Sequence, residues 1–271
     1  MDITVQFASR AIEAVRSVAA SEILPRYRTV TAMRKDDGSV VTEADHASQR
    51  MLVRTLSEVE ALPVLGEEMT RVEQEGIFRR GGRFWCVDPL DGTRNFAHGV
   101  PFFAVSVALV EDALPVFGTV YDPIADEAFF AVRGAGAWLN HRPLQVPRDA
   151  PRLAEAVAEV TLRAPANVLR SALKHRPPYA KRITSGSATL SWCHLAAARI
   201  DALISPSQKI WDYAAGALIA GEAGASLATL EDDDFWETPA FAKSPVAARG
   251  PALLAEWRDW IRRELSSCTP R

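Results

Sequence analysis

Apolar residues at Ile3, Phe7, Ile12, Val15, Val18 and Ile23 recur at helical spacing, so the chain opens with an amphipathic helix ended by Pro25 and laid against a sheet. A polar loop, RKDDGSVV, follows. Thr42 then caps a second helix, with Asp45 three positions on, where a capping-box acid sits, and Ala47, Met51 and Leu52 on its inner side. From residue 63 the texture changes to short runs rich in Val and Phe, LPVLGEE, FWCVD, FFAVSVALV, PVFGTVYD and EAFFAV, broken by acids, Gly and Pro. These are strands; VEDALPV reads as a hairpin connection, and the alternation predicts mostly antiparallel pairing. The second half is Ala-rich: TSGSATLSWCHLAAARIDA is a helix entered through Gly and Ser, DALIS a short strand, WDYAAGALIAGEAGASL a helix leaving through Gly224, and LLAEWRDWIRREL a closing helix. The elements predict an α/β (α+β) fold of layered helices and sheets. Its halves, 1–148 and 149–271, meet at a soft boundary and are expected to form one structural unit.

Composition narrows the function classes. In 271 residues, 48% hydrophobic and 24% charged is ordinary globular content, and a net charge of −3 without a basic, aromatic-interleaved stripe predicts no nucleic-acid partner. Cys86, Cys193 and Cys268 are far apart and in no CxxC spacing, as in a reducing cytoplasm. The start MDITVQFASR lacks a basic region followed by an apolar stretch, and no apolar run approaches the roughly 18–20 residues that span a bilayer. A cytoplasmic protein without a membrane partner is expected.

The chemistry lies in the acids. Taken alone, Glu67 and Glu68 in GEE read as a solvated strand end. Asp88 ends a buried strand, Phe84 to Val87, and Pro89 fixes the backbone so that the chain is expected to turn there. Asp91 in DGT reads as an Asp-Gly turn or the cap of a helix whose first amides accept an anion, and Asp212 as the N-cap of an Ala-rich helix. Together, acids delivered by strand ends and helix starts are placed as hard cations such as Mg²⁺ require, and two cations about 3.5–4 Å apart serve phosphate-ester hydrolysis. Such a cation would reconcile Asp88 with Asp91.

These residues resemble the inositol monophosphatase family: GEE at 66–68, WCVDPLDGT at 85–93 and WDYAAG at 211–216 stand in the family's order and approximate spacing, and VTEAD, YDPIADEAFFAVRGAGAWLN and GSATL extend the similarity over nearly the whole chain. The resemblance implies an α/β/α/β/α stack and a Mg²⁺-dependent, Li⁺-sensitive phosphatase of small phosphate monoesters with two or three Mg²⁺ per site. It implies that Glu67, Asp88 and the Leu90 carbonyl hold a first metal and that Asp88, Asp91 and Asp212 share a second. Asp45 would orient Thr93, which with Glu67 would activate the attacking water, and the Gly92 and Thr93 amides would cradle the phosphate without a phospho-enzyme. Lys35 falls on the family's mobile loop, where a weaker third metal assembles. Relatives are commonly dimers, which implies a homodimer.

Departures bear on the substrate. Ser205 stands where members that hydrolyse inositol phosphate often carry a sugar-contacting Glu, seven positions before Asp212. The segments at about 148–186 and 231–246 are short against the family pattern. Gly186, Ser187 and Ala188 match its substrate-side helix start, so Ser187 is a candidate for a hydroxyl contact, with Ser205, Asp91 and Asp212 beside it. An inositol 1-phosphate-like polyol or sugar phosphate is the first substrate class. Histidinol phosphate or a 3′-nucleotide such as adenosine 3′,5′-bisphosphate is the second, and a non-catalytic regulatory protein keeping the fold is the reading from another class. GAG at 134–136 lacks the third Gly and the helix of a dinucleotide loop and reads as a hairpin turn. The five histidines show no HxxxH spacing, no nucleophile elbow is present, and Glu231 to Asp234 read as a solvated loop.

Overall fold

Residues 3–34, 38, 40–147, 149–161 and 167–266 are described by the computed structural model. Lys35 and Cys268 lie outside the described residues, as do Arg148 and residues 162–166 of the shortened segment, and the loop expected to hold a further metal goes with Lys35. The helices are α1 Val5–Val18, α2 Glu43–Val59, α3 Arg71–Arg80, α4 Thr93–Ala97, α5 Asn167–His175, α6 Ala188–Ala196, α7 Ile210–Glu222 and α8 Pro251–Ser266. The strands of the first half are β1 Met33–Arg34, β2 Val40–Val41, β3 Val64–Gly66, β4 Arg83–Asp91, β5 Ala104–Glu111, β6 Leu114–Asp122, β7 Glu127–Val132, β8 Gly136–Leu139 and β9 Arg142–Leu144. Those of the second are β10 Val157–Val160, β11 Lys181–Ile183, β12 Ala202–Ile204, β13 Gln208–Lys209, β14 Ser226–Thr229, β15 Ala242–Lys243 and β16 Pro245–Ala248.

β3 to β9 make a seven-stranded sheet in chain order, antiparallel except for the β3–β4 pair. The second sheet, ordered β11-β10-β12-β16-β14, is mixed, with β10 parallel to both β11 and β12. Alternation along the strands fixes the layers. Trp85, Val87, Val105, Val107 and Leu109 face α1 and α2, whereas Phe84, Cys86, Ala104, Ala108 and Val110 face α6 and α7. In the second sheet Leu203 and Ala247 join that same α6/α7 layer, and Ala202, Ile204, Val246 and Ala248 pack on α5 and α8. The result is the α/β/α/β/α stack. Because α6 and α7 are covered on both sides, their apolar content is nearly continuous and not striped, which is the Ala-rich texture seen in the sequence.

Small residues let the middle layer sit close. A Cβ on Gly216 would stand 2.5 Å from Trp192 Cβ, and one on Gly118 would stand 2.8 Å from Ala215 Cα. Gly216→Ala should therefore overpack the α6–α7 contact and cost about 1–3 kcal/mol. Calorimetry should show a lower melting temperature, roughly 2–4 °C per kcal/mol; an unchanged midpoint would mean that the two helices can part without cost.

Several local expectations are corrected. The first helix does not simply stop at Pro25: regular α-helix ends at Val18, a wider π turn covers Ala19–Ile23, and a 3₁₀ turn carries Leu24–Arg26. Proline has no N–H to return to the Ser21 carbonyl, which the Arg26 guanidinium contacts instead at 3.4 Å. Helix α3 and strands β10, β11, β14 and β16 show no clear period in the sequence, whereas α5 buries Leu169, Ala172 and Leu173 at helical spacing. The GAG segment is the β7–β8 turn, as expected. Among the described residues no helix is long and apolar enough to cross a membrane.

Candidate active site

The stretch around Pro89 does not turn. β4 runs on to Asp91, and its pairing with β5 slips: Asp88 lies opposite Ser106 and Asp91 opposite Ala104, three residues against two. Proline supplies no ladder N–H, so the extra residue is absorbed as a bulge. Strand residues three apart ordinarily face opposite sides of a sheet. The bulge reverses that parity: Leu90 packs into the α1/α2 side, while Asp88 and Asp91 both open into one cavity of about 600 Å³ on the α6/α7 side. Among the described residues, the candidates Glu67, Asp88, Leu90, Asp91, Gly92, Thr93, Ser187, Ser205 and Asp212 line this cavity, and Asp45 lies beneath Thr93.

Asp91 joins the two halves of the chain. Its Oδ2 accepts from Ser187 Oγ at 2.5 Å, Thr189 N at 2.7 Å and Thr189 Oγ1 at 2.6 Å, all at the start of α6. Ser187 also caps α6 by accepting from Leu190 N at 3.3 Å. Its hydroxyl proton is thus spent on Asp91, and its main effect is to fix that carboxylate. Next in the chain, Gly92 has φ +87°, and a Cβ there would stand 2.7 Å from the Phe102 carbonyl oxygen. Only glycine allows the backbone to swing from β4 into α4 at this point.

Asp45 unites its two readings. One oxygen, Oδ2, accepts from Thr42 N at 2.7 Å and Thr42 Oγ1 at 2.6 Å, completing the capping box of α2. The other, Oδ1, receives Thr93 Oγ1 at 2.8 Å, and the same hydroxyl lies 2.9 Å from the Leu90 carbonyl. Asp45 is fully buried; burial pushes its carboxyl up, opposed chiefly by the Thr42 and Thr93 donors.

The remaining acids arrive from a loop and a helix. Glu67 follows β3, where Gln74 Nε2 donates to the Gly66 and Glu67 carbonyls at 2.9 Å each and holds the loop. A Cβ on Gly66 would collide with Gln49 Oε1 at 2.4 Å. The Glu68 side chain is 3% exposed and lies against His46, so the pair is not the solvated strand end that GEE alone suggested. Asp212 is the third residue of α7 and not its N-cap; its Oδ2 accepts from Lys209 N at 2.7 Å. Ser205, almost buried, lies one residue beyond β12 at the cavity wall.

Burial, then the Glu67, Asp91 and Asp212 carboxylates, push the Asp88 carboxyl well above the usual carboxylate range. Burial followed by Asp212 and Asp88 does the same to the Cys86 thiol, which is an inert core group. Four carboxylates and one carbonyl bordering a shared cavity are an all-oxygen donor set with mutual repulsion, and this fits a hard divalent cation. Among the described residues no three His, Cys, Asp or Glu side chains are already drawn into a closed cage. One oxygen of Asp91 is engaged by the Ser187 hydroxyl and the Thr189 N–H and hydroxyl, and one oxygen of Asp212 by Lys209 N.

Two residues escaped the sequence reading. Thr189 gives Asp91 two of its three donors, but within GSATL it looked like an ordinary second residue of a helix. Glu159 lines the cavity from β10. An acid flanked by Val157, Ala158 and Val160 was the available signal, weakened because both faces of that strand are apolar.

The profile of the inositol monophosphatase family matches residues 2–265. A fructose-1,6-bisphosphatase/inositol-1-monophosphatase of Thermotoga maritima is 32% identical over 212 residues, covering 78% of each chain. A Nus factor SuhB of Xylella fastidiosa is 31% identical over 246 residues, covering 82% of each. Among solved structures, an IMPase of Thermotoga maritima superposes with a TM-score of 0.81 at 28% identity, over 95% of this chain and 97% of that one.

Proposed function

The chain belongs to the inositol monophosphatase family, metal-dependent hydrolases of small phosphate monoesters, and on that premise we propose that it is a Mg²⁺-dependent phosphatase working through water attack. One observation carries the reading: the bulge at Pro89 turns Asp88 and Asp91 into a single cavity with Glu67 and Asp212, beside the buried Thr93–Asp45 pair. Glu67, Asp88 and the Leu90 carbonyl would hold one Mg²⁺, and Asp88, Asp91 and Asp212 a second. Cations held there would supply the means to lower the pKa of the attacking water and to neutralise charge on the phosphoryl and leaving oxygens.

The chain's own groups do the rest. With its proton on the bond to Asp45 Oδ1 at 2.8 Å and not on that to the Leu90 carbonyl at 2.9 Å, the Thr93 hydroxyl would keep a lone pair to accept a proton from water held with Glu67. Asp45 keeps that orientation because three donors lock its two oxygens. The Gly92 and Thr93 amides at the start of α4 would receive the phosphate. Direct transfer of the phosphoryl group to water, without a phospho-enzyme, is part of the reading. A cytoplasmic homodimer is part of the reading.

The test is phosphate release from inositol 1-phosphate, fructose 1,6-bisphosphate, histidinol phosphate and adenosine 3′,5′-bisphosphate. Turnover of at least one should require Mg²⁺, vanish with a chelator, return on adding Mg²⁺ back, and be inhibited by Li⁺. Silence across the panel with Mg²⁺ present would defeat the proposal. Similarity to a Nus factor favours a second reading, a regulatory protein that keeps the fold; saturable Mg²⁺ binding without hydrolysis would establish it.

A further inference from the structure

The cavity contains one acid that hydrolysis does not use. Glu159 in β10 is level with Ile183 of β11 and Leu203 of β12, so its side chain enters the layer between the sheets. It is 2% exposed. Its Oε1 accepts from Ser185 N at 2.7 Å and from Ser185 Oγ at 3.3 Å. Its Oε2 is buried and has no hydrogen-bond partner among the described residues. Leaving a buried acceptor unmatched is costly, and folded chains rarely do so without a reason.

Nearby hydroxyls are committed elsewhere. Ser191 Oγ, which also bears on the Glu159 carboxyl, donates to the Ser187 carbonyl at 2.8 Å, and Thr184 Oγ1 donates to the Val160 carbonyl at 3.1 Å. The loop that holds Oε1 is itself fixed, since Asn95 Nδ2 of α4 donates to the Ser185 carbonyl at 2.8 Å. Glu159 is also separate from the metal-side acids: none of Glu67, Asp88, Asp91 and Asp212 is among the groups that perturb its carboxyl, which burial pushes up. Oε2 is thus placed to take a donor that enters the cavity.

We propose that Glu159 Oε2 accepts a hydrogen bond from a hydroxyl or amino group on the leaving-alcohol side of the substrate. It thereby selects phosphate monoesters that carry a second donor beyond the ester. This rests on the phosphatase reading above. The selecting group sits on β10, while the metal acids come from β4, α7 and the loop after β3, so recognition of the alcohol and activation of water are performed by different layers.

The decisive comparison is Glu159→Gln against wild type, with Mg²⁺, on three substrates: myo-inositol 1-phosphate, histidinol phosphate, and cyclohexyl phosphate, the inositol ring without its hydroxyls. Ser185 N–H requires an amide oxygen at Oε1, so the Gln NH₂ falls at Oε2 and meets the substrate donor with another donor. kcat/KM for the preferred donor-bearing substrate should fall about 10- to 100-fold, chiefly through KM. Cyclohexyl phosphate should stay within about twofold. Loss on the inositol ester identifies a hydroxyl, and loss on histidinol phosphate an amine. An equal loss on all three, or none, overturns the proposal. If the variant does not fold, the wild type decides: less than about tenfold preference for both donor-bearing esters over cyclohexyl phosphate overturns it, because a site built for a donor rejects analogues lacking one. Wild-type turnover of cyclohexyl phosphate keeps the phosphatase reading alive in that event; no turnover of these esters, nor of fructose 1,6-bisphosphate or adenosine 3′,5′-bisphosphate, ends both.

Discussion

Asp91→Asn should yield a folded protein with turnover reduced about 10³-fold or more. The three donors on Oδ2 come from Ser187 and Thr189, so an asparagine must place its amide oxygen there. Its NH₂ then replaces Oδ1, and a would-be metal ligand becomes a donor that no cation accepts. Loss of several kcal/mol of charge stabilisation in the transition state corresponds to a reduction of that order. The β4–α6 join keeps its bonds, although each is weaker when the acceptor is neutral. Phosphate-release assays beside circular dichroism and a thermal melt check both halves. An active Asp91→Asn would remove Asp91 from the metal set; an unfolded one would make its bond to α6, and not its metal, the dominant role.

The same substitution separates metal-bound from metal-free stability. Burial of Asp88, then repulsion from Glu67, Asp91 and Asp212, push its carboxyl up and oppose the metal-free fold. A carboxyl whose folded pKa is raised contributes stability at low pH that is lost as pH climbs from its unfolded value, about 3.9, through the raised one. Metal-free wild type should thus gain melting temperature when Mg²⁺ is added at pH 7, and Asp91→Asn should gain much less.

Thr93→Ala should lower kcat by about 10²–10⁴-fold with little change in KM, the range for removal of a positioned proton acceptor. It also leaves Asp45 Oδ1 without its donor in a fully buried site, at a cost of about 1–3 kcal/mol. Thr93→Ser restores the hydroxyl and should recover most of the activity; if it does not, the methyl packing and not the hydroxyl is what matters. Burial raises the Asp45 carboxyl, and it must be ionised to receive the Thr93 proton. Activity should therefore fall as pH drops through a value above the ordinary aspartate range. A profile flat to pH 4 would exclude Asp45 from the proton path.

Much of this molecule was legible in its sequence because its long elements repeat at their own period. The strands from residue 83 to 132, the capping box at Thr42–Asp45, and the Ala-rich helices announced themselves, and the layering followed from them. Glu67, Asp88, Asp91, Thr93 and Asp212 were recognisable only as a set, since each alone has an ordinary turn or cap reading. The short strands around 157, 181 and 226 carry too few residues for a period to stand out, and α3 is polar enough to pass for a loop.

The sequence by itself determined which residue types were available: acids at the ends of apolar runs, a proline between two of them, glycines where the backbone must swing. Only the tertiary structure decided which way they point. The proline became a bulge and not a turn because β5 stayed paired on both sides of it, and that one-residue slip reverses side-chain parity. Oε2 of Glu159 lacks a partner among the described residues because parallel β10 and β12 bring it into the layer between the sheets, where Ser185 engages only its other oxygen. Parity and partner supply depend on neighbours distant along the chain, and local sequence carries no record of them.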